Sequence, residues 1–319
     1  MHLTIFQRWV TLYILLPLAA FFPVMVLLLT ILGAGFYDPN AGKRSGRLAH
    51  NPELIFAGDS RSERGFDPAT AERILGWPVG KASNIGVGAG DPPEVLQTVL
   101  AYPDHFSNAT VIVSMSPFML NNGLKQGGYY TYSMMAETNP VQLLIEFLPE
   151  NPSMLFGYVF DQIRVQAAGR PKRHILRDLS GKPITETRYT AVEKTYNGAV
   201  PALGGRWYKD WRVDGPRKDV VEQSLAELRD RVGRLIVIQA PFAPTYQKAV
   251  KSSDAVDASS ILEFDATMTA IAARLGITYR SFAFDDIWKD EDFYDATHLN
   301  HLGSKRFTEH MVKELLLNK

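Results

Sequence analysis

The chain contains no cysteine, so disulfide frameworks and thiolate chemistry are excluded, while the redox compartment stays open. It also lacks an excess of charge of either sign, because 34 Lys and Arg balance 34 Asp and Glu. No basic field is available to hold polyphosphate, and a nucleic-acid partner is not expected. Internal repeats and low-complexity tracts are missing too, which sets aside solenoids and disordered arrays. At 319 residues with ordinary apolar and charged fractions, the chain is long enough to bury a full core.

One long hydrophobic run is present. From Trp9 to Phe36 about 28 residues carry no charge, enough at the helical rise to cross the hydrocarbon layer. Pro17 and Pro23 lie inside the run, where lipid-embedded helices tolerate proline. A cleaved signal peptide has a shorter apolar region, so an uncleaved transmembrane anchor over residues 1–37 is expected, followed by a polar linker over 38–52. Arg8 precedes the run, whereas Lys43, Arg44 and Arg47 follow it. Flanking charge alone points to a cytoplasmic body.

Beyond the linker, short apolar runs alternate with helical patterns. Leu54–Ala57, Ala82–Ile85, Val111–Val113, Leu235–Ile238 and Ile277–Tyr279 read as strands,. Helix starts are marked by Asp67-Pro68 and Asp91-Pro92, with an N-cap followed by proline at the first helical position. Further helices are expected over Arg217–Val232, over Ala258–Leu275 and after Leu302. Strands separated by helices imply parallel pairing, and the expected fold is a three-layer α/β/α sandwich with a mostly parallel five-stranded sheet over 53–319. The alternation breaks between about 117 and 216, where Tyr129, Tyr130, Tyr132, Tyr196, Trp207, Tyr208 and Trp211 gather. This segment reads either as an insertion beside the active site or as a peripheral elaboration.

Two segments carry the chemistry. Gly58-Asp59-Ser60 follows the first strand, and Asp295-Ala296-Thr297-His298 lies near the C-terminus. Ligands of open α/β sheets bind at the C-terminal ends of the strands, where Ser60 is placed. A serine hydroxyl becomes nucleophilic when an imidazole accepts its proton, and a carboxylate fixes the tautomer of that imidazole. Ser60, His298 and Asp295 are the candidates. Asp295, His298 and His301 are also metal-ligand types at close spacing, but no further ligand cluster accompanies them, and neither metal nor cofactor is expected. His2, His50, His105, His174 and His310 have no recognisable partners.

Gly58-Asp59-Ser60, a glycine-bearing loop after the second strand and Asp295-x-x-His298-Leu299-Asn300 together resemble the SGNH/GDSL hydrolase superfamily, from Leu54 to the C-terminus. The resemblance implies Ser60 as nucleophile, His298 as base and Asp295 as its support. It also implies an oxyanion hole from the Ser60 amide and a second-block glycine, Gly86 or Gly88, with Gly86 favoured by the Asn84-Ile85-Gly86 block. Two positions depart from the pattern. The third-block Gly-x-Asn-Asp is replaced by Ser114-Met115-Ser116-Pro117-Phe118, which leaves Ser116, Asn121 or Asn122 as substitutes for the missing asparagine donor. Arg61 stands where the namesake motif has leucine, either to meet an anionic group or to pair with Glu63 or Asp67.

The anchor, the Gly-Asp-Ser-Arg block and the Ser-Pro-Phe block are similar to SGNH-like proteins that accompany membrane-bound O-acyltransferases, among them the D-alanine transfer protein and polysaccharide O-acetylation accessories. That similarity implies a single-pass protein of the cytoplasmic (inner) membrane with its catalytic domain on the periplasmic side. It implies acyl chemistry on an envelope polysaccharide or glycolipid, a membrane-bound O-acyltransferase partner and no cofactor. A non-catalytic partner subunit that binds the glycan is the alternative. Where the flanking charges disagree, the resemblance is preferred, because about three charges bias orientation without fixing it.

Overall fold

The computed structural model describes residues 47–87, 90–123, 208, 210–252 and 256–318, with Tyr13, Ala20, Phe21 and Val24 near the N-terminus. Of residues 252 and 256–258 only the backbone is described. Nearly all of the expected anchor over 1–37, most of the linker and most of the 117–216 segment, with Tyr129, Tyr130, Tyr132, Tyr196 and Trp207, therefore lie outside the described residues. Among the described residues no helix is long and apolar enough to cross a membrane. Every described residue from Arg47 onward belongs to one compact unit, Asn40–Lys125 with Arg173–Lys319.

Among the described residues that unit has five strands: β1 (Leu54–Gly58), β2 (Ala82–Asn84), β3 (Thr110–Ser114), β4 (Arg234–Gln239) and β5 (Thr278–Ser281). They form one sheet in the order β2-β1-β3-β4-β5, with every pair parallel. Parallel strands covered on both sides read as continuous apolar runs, and β1 is buried at all five positions of Leu-Ile-Phe-Ala-Gly,. Alternate side chains serve opposite faces. Leu54, Phe56, Ile112, Ile236 and Ile238 enter one core, whereas Ile55, Ala57, Val111, Val113, Leu235 and Val237 enter the other.

The first core is closed by α2 (Pro68–Leu75), α6 (Pro244–Ser252) and α8 (His301–Val312), through Ala71, Tyr246, Phe307 and Met311. Phe66 stacks on Phe56 at a centroid distance of 4.4 Å and on Phe307 at 5.6 Å. The second core is closed by α3 (Pro92–Ala101), α5 (Pro216–Arg229) and α7 (Val256–Leu275), through Val95, Val99, Val221, Leu225, Phe264 and Met268. Helices therefore cover both faces, making three layers.

Local chemistry sets the helix starts. Asp67 caps α2 by accepting from the Thr70 N–H, and Asp91 caps α3 by accepting from Glu94 N–H at 3.0 Å; proline follows each cap,. Three helices among the described residues have no counterpart in the periodicity: α1 (Ser60–Gly65) and α4 (Pro103–Phe106), each a turn or two long, and α6. The strand order matters most for function. The chain leaves β1 toward β2 on one side and leaves β3 toward β4 on the other, so the crevice between the C-terminal ends of β1 and β3 is the switch point where open α/β sheets bind ligands,.

Candidate active site

Ser60 stands at that switch point as the first residue of α1. Gly58 makes the turn possible: its φ is 125°, and a Cβ there would run into the Ser114 carbonyl oxygen of β3 and the Ser62 hydroxyl,. Asp59 then caps α1 by accepting the Arg61 N–H at 2.9 Å. Its other carboxylate oxygen accepts the Ser116 hydroxyl. Burial pushes the Asp59 carboxyl up from its ordinary range, opposed by the Arg61 charge and by the Ser116 and Arg61 hydrogen bonds,.

The other half of the site is a turn closed by the antiparallel bridge between Phe293 and Leu299. Inside it the Tyr294 N–H donates to the His298 carbonyl at 2.7 Å. Asp295 accepts the backbone N–H groups of Thr297 at 2.9 Å and His298 at 2.8 Å, so the carboxylate organises its own turn,. Burial alone would raise the Asp295 carboxyl. The hydrogen bond and charge of His298, with those two N–H groups, outweigh it and hold the pKa at about 2,.

Ser60 Oγ lies 2.7 Å from His298 Nε2. His298 Nδ1 lies 2.7 and 2.9 Å from the two Asp295 oxygens. An ionised carboxylate can only accept, so Nδ1 carries the proton and the Nε2 lone pair faces the serine hydroxyl. The three residues named from sequence are thus brought together in the order hydroxyl, imidazole, carboxylate. His301 begins α8, and no group of three or more metal-ligand types is placed to hold an ion among the described residues.

The remaining candidates are placed differently. The Gly86 N–H, assigned by resemblance to an oxyanion hole, donates to Asn84 Oδ1 at 2.9 Å. A Cβ on Gly86 would press within 2.6 Å of the Ser62 Cβ, so this glycine lets the β2 loop pack against α1. In the same loop Val87 N–H donates to the Gly58 carbonyl and Gly90 N–H to the Val87 carbonyl, each at 3.0 Å; Gly88 lies outside the described residues. The Ser60 N–H sits in the first turn of α1, where a helix supplies no carbonyl to it,.

Ser116 is buried with its hydroxyl given to Asp59. Asn121 Oδ1 accepts from the Gly123 and Arg212 N–H groups at 2.9 and 3.1 Å. Asn122 donates to the Val213 carbonyl at 2.7 Å and accepts from the Arg217 N–H at 3.0 Å. The two asparagines join the strand of chain that enters the 117–216 segment to the one that leaves it, rather than facing Ser60 through these bonds.

Arg61 takes neither partner that its sequence neighbours suggest. Glu63 pairs with Arg47, and Asp67 caps α2. Arg61 instead runs beneath the site, 5% exposed, where Nη2 donates to the carbonyls of Ala240 and, at 2.9 Å, Pro241. Its guanidinium lies 4.4 Å from the Phe242 ring centroid,. Burial lowers its pKa, opposed by nearby charges including Asp59 and Asp295.

Asn84 is a supporting residue that composition does not reveal. Its amide donates to the Ser62 and Phe66 carbonyls at 2.9 and 3.0 Å and so fastens the C-terminal half of α1 to β2. The asparagine before Gly86 was the available signal, but its partners lie in another element.

No family model matches the chain. No curated protein matches it either. Among solved structures it is similar to a Bacteroides fragilis protein described as a candidate acylhydrolase, at a TM-score of 0.34 and 11% identity over 83% of this chain and 88% of that one. A likeness that distant carries no weight for function, which has to be argued from the site.

Proposed function

We propose that the protein is a membrane-anchored, SGNH-type serine enzyme that acts on O-acyl groups, chiefly acetyl, of a cell-envelope polysaccharide or glycolipid. The observation that carries this reading is the 2.7 Å approach of Ser60 Oγ to His298 Nε2, backed by an Asp295 carboxylate that stays ionised at neutral pH. Ser60 Oγ attacks the acyl carbon while its proton passes to Nε2. The imidazolium is stabilised by Asp295, which keeps its charge throughout. Collapse of the tetrahedral oxyanion breaks the ester bond, and His298 returns the proton to the departing alcohol oxygen. A sugar hydroxyl or water then attacks the acyl-enzyme, gives its proton to His298 and releases the acyl group, after which Ser60 is protonated again. The Ser60 N–H is the donor we assign to the oxyanion.

The apolar Trp9–Phe36 run supports the anchor, and the Gly-Asp-Ser-Arg and Ser-Pro-Phe blocks support a periplasmic body partnered with a membrane-bound O-acyltransferase. Turnover of p-nitrophenyl acetate, followed by acetylated envelope glycans, tests the chemistry: wild type is active and Ser60→Ala is not. Equal activity of a folded Ser60→Ala variant would remove the mechanism. A reporter fused after Lys319 tests topology, and activity confined to the cytoplasm contradicts the periplasmic assignment.

One observation favours a second reading. The third-block asparagine is absent, and the Gly86 N–H is committed to Asn84, so the donors expected around an oxyanion are reduced. A glycan-binding partner subunit without acyl chemistry fits that deficit, and it predicts that well-folded wild type turns over no ester.

A further inference from the structure

Arg61 is a buried cation directly after the nucleophile, and its bonds do not explain it by local need. Nη2 serves two carbonyls, yet Nε and Nη1 are buried without a hydrogen-bond partner. An apolar side chain in the same slot against Phe242 would avoid the desolvation of a charge and of two idle donors. What the guanidinium adds is a connection. The carbonyls it holds belong to the segment after β4, Ala240 to Ala243, 179 and 180 positions away. In that segment the Ala243 N–H donates at 3.1 Å to the carbonyl of Ala296, inside the turn that carries Asp295 and His298, and Phe242 N–H donates at 3.3 Å to Ala283.

The nucleophile and its base therefore lie at the two ends of one bonded path: Ser60, Arg61, the 240–243 segment, Ala296, His298. We infer that Arg61 is a positioning residue that sets the approach of Ser60 to His298 by clamping α1 to the segment on which the Asp295–His298 turn rests. The role rests on the acyl-enzyme reading above. The guanidinium matters because its Nη2 reaches two adjacent carbonyls while its carbon lies 4.4 Å from the Phe242 ring centroid; a lysine keeps the charge but not the flat, delocalised group over that ring,. The charged groups that interact with this cation are Asp59 beside it, Asp295 in the turn and Asp265 of α7.

The test compares wild type, Arg61→Lys and Arg61→Met in fluorophosphonate labelling rate, in kcat and KM for p-nitrophenyl acetate and in thermal midpoint. A misplaced pair of reacting groups loses on the order of 10²-fold in rate. Arg61→Met is expected to lose about that much in labelling rate and in kcat, with KM unchanged and a thermal midpoint equal to or above wild type. Arg61→Lys is expected to lie between the two. A role confined to stability would instead lower the midpoint and leave the kcat of the folded fraction intact, and that result would overturn the inference. So would wild-type labelling by Arg61→Met. Failure of wild type itself to label would overturn the acyl-enzyme reading, a different outcome from a labelled wild type matched by its Arg61 variants.

Discussion

The Ser60 hydroxyl and the His298 ring, 238 positions apart in sequence, meet at 2.7 Å across the switch point of a parallel sheet. Neither side chain is held by the other alone. Ser60 is placed by the Asp59 cap and the Gly58 turn, and His298 by an Asp295 carboxylate that also ties down the backbone of the turn. A hydrogen bond between two groups that are each held in place by other contacts is what a proton transfer requires.

Asp295→Asn keeps the shape of the turn but reverses the demand on His298 Nδ1. An amide that presents its N–H stabilises the tautomer with Nε2 protonated, which cannot accept from Ser60. The expected loss in kcat is on the order of 10³ to 10⁴-fold, the scale seen when a triad carboxylate is neutralised. Steady-state kinetics on an acetyl ester checks it, and a loss under about ten-fold would show that His298 is oriented by something else.

The same carboxylate makes folding depend on acid. Its pKa in the folded protein is about 2, against an ordinary 3.8, so the folded state favours the ionised form. That contribution is complete above about pH 4 and is lost as pH falls toward 2. It amounts to at most about 2 kcal/mol. Denaturation midpoints across this window should fall less steeply for Asp295→Asn than for wild type, and parallel curves would contradict the assignment.

Gly58→Ala tests the turn beneath Ser60. A methyl group at φ 125° meets the Ser114 carbonyl and the Ser62 hydroxyl, both belonging to packed elements. Destabilisation on the order of 3 kcal/mol or more is expected by chemical denaturation, because both strain and overlap act at once. A loss below about 1 kcal/mol would mean that the β1 turn relaxes freely.

Asn122→Ala tests the reassignment of that residue from substitute oxyanion donor to structure. It removes the Asn122 hydrogen bonds to the Val213 carbonyl and the Arg217 N–H, an expected penalty of about 1 to 3 kcal/mol. Turnover of a small acetyl ester by the folded protein should be unchanged. A fall in kcat without loss of stability would return Asn122 to the site.

The three central strands could be read from sequence because strands covered on both faces carry short apolar runs, and Leu54–Ala57, Val111–Val113 and Leu235–Ile238 stand out between polar segments; the edge strands β2, Ala-Ser-Asn, and β5, Thr-Tyr-Arg-Ser, carry no such run,. Helix starts at Asp67-Pro68 and Asp91-Pro92 could be read because capping is a contact between residues three apart,. Helices α1 and α6 could not. The first is six residues of Ser-Arg-Ser-Glu-Arg-Gly with no apolar period, nucleated by Asp59 and clasped by Asn84 from another strand. The second offers only Tyr246 and Val250 as an apolar pair at helical spacing.

Site residues divide along the same line. Ser60, Asp295 and His298 were nameable because residue type and order carry their chemistry. The partners of Arg61, Asn121 and Asn122 were not, since hydrogen bonds to backbone groups about 90 to 180 positions away leave no local pattern.

The most direct test of Ser60 as an acyl-accepting nucleophile is reaction of the full-length protein with a fluorophosphonate, followed by peptide mapping. A single adduct on Ser60, absent from Ser60→Ala and strongly reduced in His298→Ala, is the predicted result. Folded wild type that stays unmodified, or an adduct that persists in Ser60→Ala, would contradict it.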